Sequence, residues 1–167
     1  PKTGRFAGYT GGAQGSQVQR LADVKADDVR RIATGIGEFD RVLGGGLAPA
    51  SVVLIGGDPG IGKSTLLLQT MATLGERMPC LYVTGEESPQ QVSLRARRLH
   101  LPLENLQLLA ETRIEAILAI AAQERPRALV VDSIQTIYTE QLQSAPGAVA
   151  QVRESAAQLV RYAKQSN

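Results

Sequence analysis

Four short runs of apolar, β-favouring residues recur along the chain, at 51–55, 80–84, 106–109 and 128–131. Behind each comes a stretch with helical spacing. Short runs that are apolar on both faces read as strands buried on both sides, and strand–helix alternation predicts a mostly parallel sheet with helices on both faces, an α/β fold. The run at 51–55 leads through a glycine-rich segment to a helix over 66–74. After 80–84, Ser88 caps a helix, Pro89 suits its first position and Gln91 completes a reciprocal capping pair. After 106–109, Thr112 and Glu115 form a second such box ahead of Ile114, Ile117, Leu118 and Ala121. Val149, Val152, Ala156, Leu159, Val160 and Ala163 form the stripe of a last amphipathic helix. A right-handed crossover would carry that helix into another strand, so the core is expected to be truncated on its C-terminal side.

Ahead of the first run, Phe39, Val42 and Leu43 fall on one face of a short helix that Gly44-Gly45-Gly46 terminates. Over 18–32, Leu21, Val24, Val29 and Ile32 are separated by charges and predict a short strand or turn. Residues 1–17 are glycine-rich and polar without sustained period, the pattern of a flexible lead-in. The expected organisation is a linker and lead-in over 1–33 and one core over 34–167. With 167 residues, 43% hydrophobic and 20% charged, the chain is long enough for one core and too short for two full-sized ones.

A formal charge of +2 permits contact with nucleic acid without announcing it. Cys80 is the one cysteine, which excludes an intrachain disulfide and favours a reducing compartment. The sequence has no apolar stretch of membrane-spanning length and no secretory signal at its start, so a cytoplasmic location is expected. The first residue is Pro1, which suggests a segment of something longer.

Gly57-Asp58-Pro59-Gly60-Ile61-Gly62-Lys63-Ser64 fits G-x-x-x-x-G-K-[ST] between an apolar run and a helix. Glycines let the main chain curl until several N–H groups point inward, and the helix start adds the positive end of its dipole. Lys63 neutralises outer phosphates, Ser64 supplies a hydroxyl for Mg²⁺, and Thr65 reaches the innermost phosphate. The segment predicts nucleoside triphosphate binding. Asp132 ends the run at 128–131, where a parallel sheet brings its carboxylate to the edge that carries the phosphate loop, opposite Ser64 on the metal. Glu86 and Glu87 follow the run at 80–84 at the same edge. A carboxylate there can orient the water that attacks the terminal phosphorus, and Glu86 is favoured, with Glu87 next. Acidic residues merely decorating a helix start are the bland alternative.

Thr34-Gly35-Ile36-Gly37-Glu38-Phe39-Asp40-Arg41-Val42-Leu43-Gly44-Gly45-Gly46-Leu47, the phosphate-loop segment from Leu54 to Gln69, Tyr82-Val83-Thr84-Gly85-Glu86-Glu87-Ser88 and Val130-Val131-Asp132-Ser133-Ile134-Gln135-Thr136 occur in order. Together they resemble the RadA (Sms) family of bacterial DNA repair proteins. The resemblance implies a RecA-like P-loop ATPase core, hexameric and DNA-dependent, that processes recombination intermediates and promotes branch migration. It implies ATP and Mg²⁺ as ligands, single-stranded and branched DNA as partners, and a functional link to RecA. It also supports Glu86 as the water-activating residue and assigns a DNA-contacting loop to about 139–148. That family carries an N-terminal four-cysteine zinc module, a Lys-Asn-Arg-Phe-Gly motif and a domain similar to the Lon protease, none of which occurs in these residues. Slow turnover by this segment alone is therefore expected. Ala50 stands where the family usually has glycine, with little consequence expected. A KaiC-like nucleotide-gated assembly or signalling ATPase without DNA dependence is the alternative, and a small-molecule kinase lacks an evident acceptor site or lid.

Arg95, Arg97 and Arg98 could touch a phosphate backbone or a neighbouring subunit, but a solvated helix face accounts for them more simply. Arg30 and Arg31 invite the same two readings. His100 has no partner at metal-ligand spacing and reads as a helix-end residue. Phe6, Phe39 and four tyrosines offer few platforms for stacking bases.

Overall fold

The structure is a computed structural model that describes residues 18–23 and 29–166. The expected lead-in at 1–17 lies outside them. Three parallel strands form the sheet: β1 (Cys80–Thr84) in the centre, flanked by β2 (Leu106–Ala110) and β3 (Ala128–Asp132). Cys80 pairs with Leu106 on one side and Ala128 on the other, and the register runs unbroken to Thr84, opposite Ala110 and Asp132.

Every residue of β1 is buried, and their side chains alternate between two cores. Cys80 and Tyr82 meet Leu68, Met71 and Leu74 of α2 (Lys63–Gly75) and Val92 and Ala96 of α3 (Pro89–Arg98). Leu81 and Val83 meet Ile114, Ile117 and Ala121 of α4 (Ile114–Glu124), with Ile137, Leu159 and Tyr162 alongside, the last two from α5 (Val149–Ser166). Both faces are thus covered, as the unbroken apolar runs require. Full burial of one such side chain contributes about 1.5–3 kcal/mol. Burial also pushes the Cys80 thiol up to about 11, so the lone cysteine is a small core side chain rather than a nucleophile.

The helix boundaries follow from local chemistry. Ser88 Oγ accepts from Gln91 N at 3.2 Å while Ser88 N donates to Gln91 Oε1 at 2.9 Å, and Pro89 opens α3. At its far end His100 takes a left-handed conformation, with His100 N donating to Arg97 O and Leu101 N to Ala96 O. In α1 (Gly37–Val42), Asp40 reaches back to accept from Thr34 N at 2.7 Å and Gly35 N at 3.3 Å, bonds that hold its carboxyl below the ordinary range. Gly44 N and Gly45 N then return to Arg41 O and Asp40 O, which ends α1 on its glycines.

Several expectations are corrected. Residues 51–55 form no strand and are largely exposed, with Leu54 84% accessible. A strand needs a ladder partner for its N–H and C=O groups, and among the described residues none lies beside this run. On α1, Val42 is exposed, whereas Phe39 and Leu43, four apart, are half-buried together. The turn expected over 18–32 is present among the described residues, as a 3-10 turn at Leu21–Asp23, and Ile32 forms an antiparallel bridge with Leu47. The Thr112–Glu115 box does not form. Glu111 instead accepts from Thr112 N at 2.8 Å and Arg113 N at 2.9 Å, while Glu115 takes the hydroxyl of Thr139. In α5, Val149 is exposed and the inward line runs through buried Gln151 and Ser155 to Leu159 and Tyr162.

Candidate functional site

The direction of α2 decides where the phosphate-loop residues lie. Gly75, its last residue, abuts Asn105 and Leu106, where β2 begins, so α2 runs against the strands and its first turn rises toward their carboxyl ends. Glu86, Glu87 and Asp132 lie at those ends. Crevices at the carboxyl ends of parallel strands are where open α/β sheets bind ligands.

Gly62 N-caps α2 in the left-handed conformation, at φ 98. The N–H groups of Gly57, Asp58, Gly60, Ile61 and Gly62 donate to no other described residue, and those at the start of α2 have no intrahelical acceptor. Lys63 Nζ folds over the loop and donates to Gly57 O and Asp58 O, each at 2.6 Å. Ser64 and Thr65 are half-buried, and neither hydroxyl is hydrogen-bonded. The loop therefore offers unengaged donors around one ammonium group.

At the sheet edge, Gly85 N donates to Asp132 O at 3.0 Å and carries the β1–β3 ladder one residue further. That step brings Glu86 beside Ser133, whose Oγ donates to Glu86 Oε1 at 2.7 Å. The Asp132–Ser133 peptide is cis. The two glutamates then diverge. Glu86 is exposed, whereas both Glu87 oxygens accept from Arg95 Nη1, at 2.7 and 2.8 Å. Thr84 Oγ1 further fixes Glu87, accepting from its N–H and donating to its C=O. Arg95 is thus not on a solvated face: its side chain is 16% exposed, with Nε and Nη2 buried without acceptors. Its three-residue spacing from Val92 was the available signal, because positions three apart share a helix face.

Asp132 pairs with Thr84, and its side chain lies on the face of Tyr82, the one covered by α2. Tyr82 Oη donates to Asp132 Oδ2 at 2.5 Å. No hydrogen bond joins Asp132 to Ser64. The donors available to a cation are hydroxyl and carboxylate oxygens, and no group of three or more His, Cys, Asp or Glu side chains gathers to hold a metal among the described residues. That set suits magnesium, which binds through one or two protein oxygens with phosphate and water completing its shell.

The segment 139–148 is anchored from α5. Gln151 Oε1 accepts from Thr139 N at 2.8 Å, and its Nε2 donates to Ser144 O at 2.7 Å, Thr139 O at 3.3 Å and Leu142 O at 3.4 Å. Sequence patterning did not single out this buried amide, nor Ser133 or Tyr82. Arg31 closes the Gly44–Gly46 turn by donating to Leu43 O at 2.9 Å and Gly46 O at 3.2 Å.

Residues 32–125 match the family model described as ATPase: KaiC. The chain is 66% identical over 158 residues to the DNA repair protein RadA of Pseudomonas aeruginosa, covering 93% of this chain and 35% of that protein. It is 58% identical over 160 residues to RadA of Salmonella typhimurium and 56% identical over 160 residues to RadA of Escherichia coli, in both cases covering 96% of this chain and 35% of the relative. The chain thus spans about a third of the length of the curated relatives it matches. No helix among the described residues is long and apolar enough to cross a membrane.

Proposed function

Since the chain belongs to the KaiC family of ATPases and has the parallel sheet of a RecA-like core, we propose that it is the ATP-binding core of a DNA-dependent ATPase acting in DNA repair and recombination. The observation that carries the reading is the phosphate loop itself: unengaged N–H groups at a helix start, with Lys63 above them, on the helix that covers the face bearing Asp132. Gly57, Asp58, Pro59, Gly60, Ile61, Gly62, Lys63, Ser64 and Thr65 cradle the triphosphate. Lys63 exchanges its two loop carbonyls for phosphate oxygens, a charge-assisted contact stronger than the neutral ones it replaces.

Magnesium bound with the nucleotide would be held by Ser64 and Asp132 and would supply charge neutralisation on the phosphate oxygens. Glu86 orients the attacking water and takes its proton, because it is exposed and Ser133 engages only one of its oxygens. Glu87 is the weaker candidate, since the Arg95 guanidinium already occupies both its oxygens. The names of the RadA relatives support the repair role. Branch migration, a hexameric ring, contact with single-stranded and branched DNA through 139–148, a functional link to RecA and a cytoplasmic location complete the reading.

Titration calorimetry with MgATP on this chain tests the nucleotide site. Lys63→Ala is expected to weaken binding at least about 100-fold, equivalent to about 2.7 kcal/mol, with the thermal midpoint unmoved. Equal affinities would remove the reading. ATP hydrolysis by a full-length protein carrying this core, with and without single-stranded DNA, tests the motor. A second reading, a KaiC-like nucleotide-gated assembly or signalling ATPase without DNA dependence, is compatible with the same family match. In that case DNA leaves hydrolysis unchanged and nucleotide changes the oligomeric state.

A further inference from the structure

Tyr82 is the largest fully buried side chain in the structure, at 0% exposure, and lies at the centre of the most enclosed strand. A phenol so placed must find a hydrogen-bond partner, since an orphaned buried hydroxyl costs about 1–3 kcal/mol. A fully apolar side chain would serve the surrounding cluster of Leu68, Met71, Leu74, Val92 and Ala96 equally well as packing. The hydroxyl therefore calls for its own explanation, and its one acceptor is Asp132 Oδ2, at 2.5 Å.

The register explains how the two meet. Tyr82 pairs with Val130 and Thr84 with Asp132, so Tyr82 and Asp132 are diagonal neighbours on one face, within reach of a long aromatic side chain. Asp132 Oδ1 accepts from no described residue. One oxygen of the carboxylate is held from inside the core while the other stays available.

We propose that Tyr82 is a positioning residue for Asp132: its buried hydroxyl fixes the carboxylate through Oδ2 and leaves Oδ1 as the oxygen presented to the nucleotide's divalent cation. The proposal rests on the reading of Asp132 as a magnesium anchor. The tyrosine touches neither nucleotide nor metal. It acts by removing rotational freedom from the aspartate, in the way that outer-shell partners of metal ligands typically alter affinity by about 10–100-fold.

The test uses this chain and ADP, with the Mg²⁺ concentration for half-maximal metal-dependent binding as the readout. Tyr82→Phe keeps the ring and deletes the hydroxyl. It is expected to raise that concentration about tenfold while ADP binding in EDTA stays at the wild-type value. In an Asp132→Ala background the same change should alter neither quantity, which a merely structural role would not predict. A half-maximal concentration equal to wild type overturns the proposal, as does an equal rise in the Asp132→Ala background. A measurement that does not need the phenylalanine variant to fold is the ¹⁹F resonance of 3-fluorotyrosine introduced at position 82. It should move on Asp132→Asn and on addition of Mg²⁺ to the ADP complex, and an unmoved resonance overturns the proposal. If wild type and Lys63→Ala bind ADP equally, the nucleotide reading falls and takes this proposal with it. If Lys63→Ala abolishes binding and Tyr82→Phe is silent, this proposal falls alone.

Discussion

Two glycine-rich turns flank α1 and α2, and they are built in opposite ways. At 44–46 the main chain is closed off: Gly44 N and Gly45 N cap α1, Arg31 holds the carbonyls of Leu43 and Gly46, and Ile32 and Leu47 exchange hydrogen bonds at 2.8 Å. At 57–62 the N–H groups donate to nothing among the described residues, and the sole side-chain tie is the Lys63 ammonium. Composition alone does not separate the two. A turn whose donors and acceptors are satisfied internally is architecture, whereas one whose donors converge unsatisfied at a helix start can bind an anion.

Substitutions should divide along the same line. The largest stability effect is expected at Gly46, buried with φ 129, where an added Cβ would lie 2.3 Å from Ile32 O and 2.6 Å from Ile32 C. Backbone atoms cannot swing aside, so Gly46→Ala should cost about 3 kcal/mol in chemical denaturation. A loss under about 1 kcal/mol would show that the Ile32–Leu47 bridge adapts and that the turn is looser than drawn. Gly62→Ala meets nothing within 4 Å but inherits φ 98. Its stability cost should be about 1–2 kcal/mol. The strain displaces the first N–H groups of α2, so MgATP affinity should also fall roughly tenfold; unchanged affinity by calorimetry would argue against those groups as phosphate donors. The smallest effect is at Ala50, between the two turns, which sits at φ 57. Ala50→Gly should raise stability by about 0.5–1 kcal/mol, relief of left-handed strain less the added chain entropy of glycine. A thermal melt that drops instead would mean the strain is absorbed elsewhere.

What the sequence made legible was local or periodic. The three paired strands, the Ser88–Gln91 box, the glycine stop after α1 and the grouping of acidic residues at one sheet edge all rest on contacts within a few residues or on unbroken apolar runs. What it hid depends on distant partners. The run at 51–55 has strand composition but no described neighbour to pair with. Thr112 could have capped α4, but the helix begins one residue later with Arg113 as its N-cap, Glu111 takes the N–H groups of Thr112 and Arg113, and Glu115 is drawn to Thr139. Arg95 looked solvated because its acceptor, Glu87, precedes the helix, and the apolar stripe of α5 was misplaced because a glutamine and a serine, Gln151 and Ser155, take the most enclosed positions. Polar groups that face inward to bond a carbonyl or carboxylate are not members of an apolar stripe, so hydrophobic patterning passes over them.

That glutamine has a mechanical consequence. Gln151 grips the main chain at Thr139, Leu142 and Ser144 from the first turn of an 18-residue helix. The segment and the helix behind it are therefore tied by four hydrogen bonds from one side chain, so that displacing either one strains the other.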